Sequence, residues 1–198
     1  MRIALFGGTF DPPHRAHLAV AQAAADAFSL DTVLLTPTGR QPLKDTAPRA
    51  SFAHRLAMTN LLCGSDARLQ ASDLDAPHAD GSPNYTIDLL RKFHPLDCTL
   101  YVLVGADSFR NLRQWKEPDA LLQLAEWIVV TRPGSPLEHW NSFTPQQQSH
   151  LHVLDSLHMN VSATRVRDRL HHTATPTGIA DLTPEVAAYI QHHHLYKD

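Results

Sequence analysis

The sequence predicts an α/β protein, a parallel sheet with helices on both faces, ending in a small helical region. Short aliphatic runs of strand length alternate with helix-length patterns along most of the chain. No internal repeat or low-complexity linker breaks that alternation. At 198 residues the chain fits one large domain, able to bury a full core without disulfides or metals as staples. Residues 1–198 are therefore read as a single domain, with 162–198 as a helical C-terminal subregion.

The elements follow in order. Arg2–Phe6 (RIALF) reads as a buried first strand, and His17–Phe28, rich in alanine, as the first helix. Thr32–Thr36 is a second strand, closed by Pro37 and Gly39. Ser51–Leu62 and Tyr85–Phe93 carry helical patterns. Leu100–Val104 is the best strand of the middle region, Ile128–Thr131 the next and His152–Leu154 a short last one. In the tail, Ser162 is the expected N-cap of a helix running to about Leu170. Thr183-Pro184-Glu185 supplies a cap and an N1 proline for another.

Bulk properties narrow the function. The formal net charge of −3 gives no basic surface of the kind a nucleic-acid partner selects. No apolar run approaches the roughly 18 residues of a membrane span, and Met1–Phe6 leads straight into a structured motif rather than a signal peptide. The cysteines, Cys63 and Cys98, lack metal-type spacing and suit a reducing, cytoplasmic setting. Histidine is over-represented at fourteen, densest at His171–His172 and His192–His194. Adjacent residues cannot share one helix face, so these are read mostly as surface polar groups, with metal binding the lesser reading.

The informative stretch is Gly7–Leu18 (GGTFDPPHRAHL), directly after a strand and directly before a helix. Gly7 and Gly8 let backbone approach a ligand closely. Pro12 and Pro13 stiffen the loop, and Asp11 is read as a cap or brace of it. A helix N-terminus offers unpaired N–H groups and a positive dipole end, a seat for phosphate. His14 and His17, three residues apart, would stand on one side of the first turn as a partly cationic pair. The stretch lacks the G-x-G-x-x-G of dinucleotide folds and the Gly-Lys-Ser/Thr of a Walker loop. A zinc pair would need further ligands, and none is placed nearby.

This stretch resembles the GGTFDPxHxGHL signature of nicotinate-mononucleotide adenylyltransferases, within the HxGH nucleotidyltransferase superfamily. Ala16 stands where the family usually has glycine. The likeness continues through Pro42-Leu43-Lys44, with leucine in place of the family's histidine, and through Asn84-Tyr85-Thr86. Further on come Gly105-Ala106-Asp107-Ser108 with Trp115 downstream, Arg132-Pro133-Gly134, Val161–Arg167 and the terminal Leu195-Tyr196. The resemblance implies a Rossmann-like nucleotidyltransferase fold and transfer of the adenylyl group of ATP to nicotinate mononucleotide, giving the deamido dinucleotide and pyrophosphate.

On that reading His17 faces the α-phosphate and His14 the neighbouring oxygens, with Lys44 and Arg167 as clamping cations. Gly7, Gly8, Thr9 and Phe10 line the ATP site with Gly105. Ser162 and Thr164 would meet the β- and γ-phosphates. The resemblance implies Asp107 near the ATP sugar and Thr86 with Trp115 around the pyridine ring. Backbone N–H groups near Thr86 and Trp115-Lys116 would meet its carboxylate, and Arg132 is counted with the substrate site. Mg²⁺ is expected on the triphosphate rather than in a protein cage. Pro42–Ala50 is the candidate mobile loop. Competing readings are a phosphopantetheine or nicotinamide-mononucleotide adenylyltransferase, a silent nucleotide sensor, and a His-rich metal binder.

Overall fold

The computed structural model describes residues 1–40, 47–93, 97–131, 143–155, 161–173 and 175–197. Six strands form one sheet: β1 (Arg2–Gly8), β2 (Thr32–Pro37), β3 (Leu69–Ala71), β4 (Thr99–Gly105), β5 (Glu126–Thr131) and β6 (Leu151–Asp155). Their order is β3-β2-β1-β4-β5-β6, and every pairing is parallel. Strand order reverses between β1 and β4, so a crevice opens beyond their carboxyl ends. That is where the Gly7–Leu18 loop lies.

Alternation along the strands builds two cores. Ala4, Phe6, Val33, Leu35, Leu103 and Ile128 face one side, under α1 (Arg15–Ala27) and α2 (Phe52–Cys63). Leu5, Val102, Val104, Trp127 and Val129 face the other, under α3 (Thr86–Arg91), α4 (Ala106–Phe109) and α5 (Pro118–Leu124). A short α6 (Pro145–Gln148) precedes β6. Trp127 is fully buried and its indole N–H donates to the Leu121 carbonyl at 3.2 Å, so the core's largest side chain leaves no polar atom unpaired.

The helix signals read from sequence correspond to local hydrogen bonds. Ser162 caps α7 (Ala163–His172), its hydroxyl accepting from the Arg165 N–H at 3.3 Å. Thr183 caps α8 (Pro184–His192) by accepting from Val186. Both helices belong to the first core, where Val166, Leu170, Val186, Ala187 and Ile190 are buried. Among the described residues no helix is long and apolar enough to cross a membrane. His171, His172 and His192–His194 are exposed.

Candidate active site

A cleft of about 650 Å³ opens at the reversal point between β1 and β4. Its wall collects Gly7, Gly8, Thr9, Phe10, His14 and His17 from the β1–α1 connection, and Thr86 from the start of α3. Gly105 at the end of β4, Asp107 on α4, Trp115, Lys116 and Ser162 also line it. Thr164 and Arg167 do not line the cleft. Lys44 and Arg132 lie outside the described residues, as does most of the Pro42–Ala50 loop.

The loop is held by long-range contacts. Phe10 is buried in a left-handed conformation (φ 48°) and meets the His17 ring edge-on at 4.8 Å. Gly8 leaves room for it, because a β-carbon there would come within 3.1 Å of the Phe10 ring. Asp11 braces rather than caps. Its buried carboxylate accepts from the Arg49 and Ala50 N–H groups at 2.7 and 3.0 Å and from the Tyr196 hydroxyl at 2.8 Å. Burial, then the neighbouring Asp11 charge, pushes the Tyr196 hydroxyl's pKa up, so it stays a donor. The guanidinium of Arg167 donates to the Asp11 carbonyl at 2.7 Å and to the Thr164 hydroxyl at 3.2 Å, tying α7 to the same loop.

His14 is the N-cap residue of α1 and His17 stands at its third position. Their rings stack with centroids 3.7 Å apart and planes inclined by 19°. The His14 backbone N–H donates to His17 Nδ1 at 3.2 Å, which leaves the proton of a neutral His17 on Nε2. His14 Nδ1 is buried without a partner. The pair is not cationic as its spacing suggested. Burial lowers the His14 pKa to about 4, and burial plus the adjacent ring holds His17 well below its ordinary value. The α1 amides are also less available than expected, since Arg15 N–H donates to Asp181 and His17 N–H to His14.

The other wall is aromatic and charged. Trp115 is half-buried and packs edge-on against Trp127 at 5.9 Å, leaving part of its surface in the cleft. Its backbone N–H donates to the Leu112 carbonyl. Lys116 Nζ lies 2.9 Å from Asp88 and over the Tyr85 ring at 4.8 Å. Asp107 is exposed and pairs with Arg110 at 3.5 Å.

Sequence reasoning missed Thr36, Thr38, Asp75 and Gln114 and named Asn84 only as part of a motif, and all five line the cleft. It also missed Arg55, a buried cation on α2. Its guanidinium donates to the carbonyls of Ala50, Thr9 and Thr38 at 3.2, 2.7 and 2.9 Å, joining the loops that follow β1 and β2. One signal was available. Arg55 occupies the same helical stripe as Met58, Thr59 and Leu62, where a charge is out of place unless it is paired inside. No three His, Cys, Asp or Glu side chains converge as metal ligands among the described residues.

Residues 5–169 match the family described as cytidylyltransferase-like. The chain is 36% identical over 199 residues to a probable nicotinate-nucleotide adenylyltransferase of Solibacter usitatus, covering 99% of this chain and 100% of that one. A relative of the same name from Neisseria meningitidis serogroup B is 36% identical over 204 residues, covering 99% and 98%. Among solved structures, the Plasmodium falciparum nicotinic acid mononucleotide adenylyltransferase complexed with NaAD superposes with a TM-score of 0.75. It is 19% identical, with 98% of this chain and 97% of that chain covered, a likeness of fold.

Proposed function

This chain belongs to the nicotinate-nucleotide adenylyltransferase family, a branch of the cytidylyltransferase-like proteins, and we propose that it transfers the adenylyl group of ATP to nicotinate mononucleotide. The products are the deamido dinucleotide and pyrophosphate, a step of NAD biosynthesis. The observation that carries this reading is the stacked His14–His17 pair at the strand-order reversal, facing a cleft of about 650 Å³.

The chemistry needs an acceptor phosphate aligned with the α-phosphate of ATP and donors where negative charge grows. His17 supplies one. With Nδ1 engaged by the His14 backbone, its Nε2–H donates to an α-phosphate oxygen. His14, unpartnered at Nδ1, meets an adjacent phosphate oxygen. Gly7 and Gly105 keep side chains away from the nucleotide, and Ser162 stands at the triphosphate end. Arg167 works through the loop, holding Asp11 in place, and Lys44 is the clamping cation of the β2–α2 connection. Asp107 takes the ATP ribose. Thr86, Trp115 and Lys116 surround the nicotinate, with Trp115 as the stacking surface.

Mg²⁺ would arrive on the triphosphate rather than in a protein cage. Bound there, it neutralises phosphate charge. The cytoplasm is the proposed location. Incubation with ATP, Mg²⁺ and nicotinate mononucleotide, with the products identified by mass, tests the reading. Pyrophosphate without the dinucleotide would contradict it.

A further inference from the structure

One buried polar group in the cleft has no place in the mechanism above. Asp75, on the segment between β3 and α3, is 8% exposed and lines the cleft beside Asn84, Tyr85 and Thr86. Its Oδ1 is buried without any hydrogen-bond partner. No cation pairs with it among the described residues. Arg55, the nearby charge, spends its donors on backbone carbonyls instead. A buried carboxylate oxygen left unpaired costs on the order of 1–3 kcal/mol or more. The interactions of the carboxylate with the Asn84 side chain and the Gly39 backbone leave Oδ1 itself unpaired.

The segment is nevertheless fixed in place. Asn84 Nδ2 donates to the Ala76 carbonyl at 2.9 Å, and the Asn84 amide oxygen meets His78 Nε2 at 2.6 Å. On the opposite side Gly39 packs so closely that a β-carbon would fall 2.4 Å from the Asp75 carbonyl oxygen. Asp75 is therefore a rigidly held acceptor facing the pyridine-nucleotide half of the cleft. Burial raises its pKa to about 6, so near neutral pH it is mostly ionised and accepts only.

We propose that Asp75 is a positioning residue for the acceptor mononucleotide, its unpaired Oδ1 accepting a hydrogen bond from a ribose hydroxyl. This rests on the family reading and extends it. The chemistry of the acceptor selects the partner by elimination. Its phosphate and nicotinate carboxylate would be repelled, and the pyridine ring carries only C–H groups. The ribose hydroxyls are the donors left. The ring nitrogen, bonded to the sugar, bears positive charge, so a carboxylate at the ribose is also electrostatically matched. By holding the sugar from one side, Asp75 aims the 5′-phosphate at the ATP α-phosphate.

The test is kinetic. Wild type is assayed with nicotinate mononucleotide and with its 2′-deoxy and 3′-deoxy analogues, then Asp75→Ala and Asp75→Asn are assayed with the same set. Wild type should disfavour one deoxy analogue by roughly 10- to 100-fold in kcat/KM, the range of a charge-assisted hydrogen bond. Asp75→Ala should raise KM for the parent acceptor by a similar factor and treat parent and analogue alike, with KM for ATP within about twofold. Should Asp75→Ala fail to fold, the near-isosteric Asp75→Asn carries the comparison, with discrimination reduced. A variant that keeps wild-type discrimination overturns the proposal, as does a wild type indifferent to both hydroxyls. Absence of any turnover with nicotinate mononucleotide would instead overturn the family reading itself.

Discussion

The His14 backbone N–H donates to His17 Nδ1 at 3.2 Å while the two imidazoles stack at 3.7 Å, so one residue sets both the orientation and the tautomer of the other. His17 thereby becomes a neutral donor aimed from Nε2. Replacing it with alanine removes that donor and leaves the loop braced by Asp11 and Arg55. We expect kcat to fall about 100- to 1000-fold, the loss typical of one donor to a developing oxyanion, with an unchanged circular-dichroism spectrum. Near-normal turnover in His17→Ala would remove it from the chemistry.

The depressed histidine pKa values make a signed prediction. A histidine with a folded pKa near 4 binds fewer protons than its unfolded counterpart between about pH 4 and 6.5, so folding stability falls as the pH drops through that window. Each such group contributes at most about 1.4 kcal/mol per pH unit there. His14→Gln should flatten the dependence of urea-unfolding free energy on pH across this range. Bound phosphates reverse the shift, so ATP binding near pH 6 should take up protons. Calorimetry in buffers of different ionisation enthalpy reads this, and uptake should be smaller in His14→Gln than in wild type.

Much of the fold and part of the site were legible in the sequence, and the division has a physical cause. The caps at Ser162 and Thr183 and the strands β1, β2 and β4 announce themselves because their signals lie within a few residues. The short β3 and the helices α4 to α6 carry too few residues for a period to emerge. Asp11 reads from sequence as either a cap or a brace, and the partners that make it a brace, Ala50 and Tyr196, lie 39 and 185 residues away. The neutrality of the histidine pair comes from burial, which spacing does not report. Arg55 and Asp75 escaped for the same reason, since each matters through loops that only the fold brings together.

Arg55 is the charge that joins those loops. Arg55→Ala strands the carbonyls of Thr9, Thr38 and Ala50 and removes one of the positive charges near Asp11. We expect a loss of about 3–5 kcal/mol in urea unfolding, the usual consequence of deleting one member of a buried charged set. A loss below about 1 kcal/mol would show that the guanidinium is not what holds the loops.

Two glycines separate structural from ligand effects. At Gly39 a β-carbon would meet backbone atoms of residues 75–77, starting 2.4 Å from the Asp75 oxygen, so Gly39→Ala should cost about 1–3 kcal/mol and raise KM for the acceptor. At Gly105 nothing lies within 4 Å, so Gly105→Ala should leave stability within about 0.5 kcal/mol and weaken ATP binding only. Thermal melts paired with KM for each substrate check both.

Adenylyl transfer to nicotinate mononucleotide is tested most directly by pyrophosphate release from ATP and Mg²⁺ with three acceptors in parallel. We expect nicotinate mononucleotide to be strongly preferred over nicotinamide mononucleotide and phosphopantetheine, with one deamido dinucleotide formed per pyrophosphate. Preference for either of the other acceptors, or no release with any of the three, would contradict it.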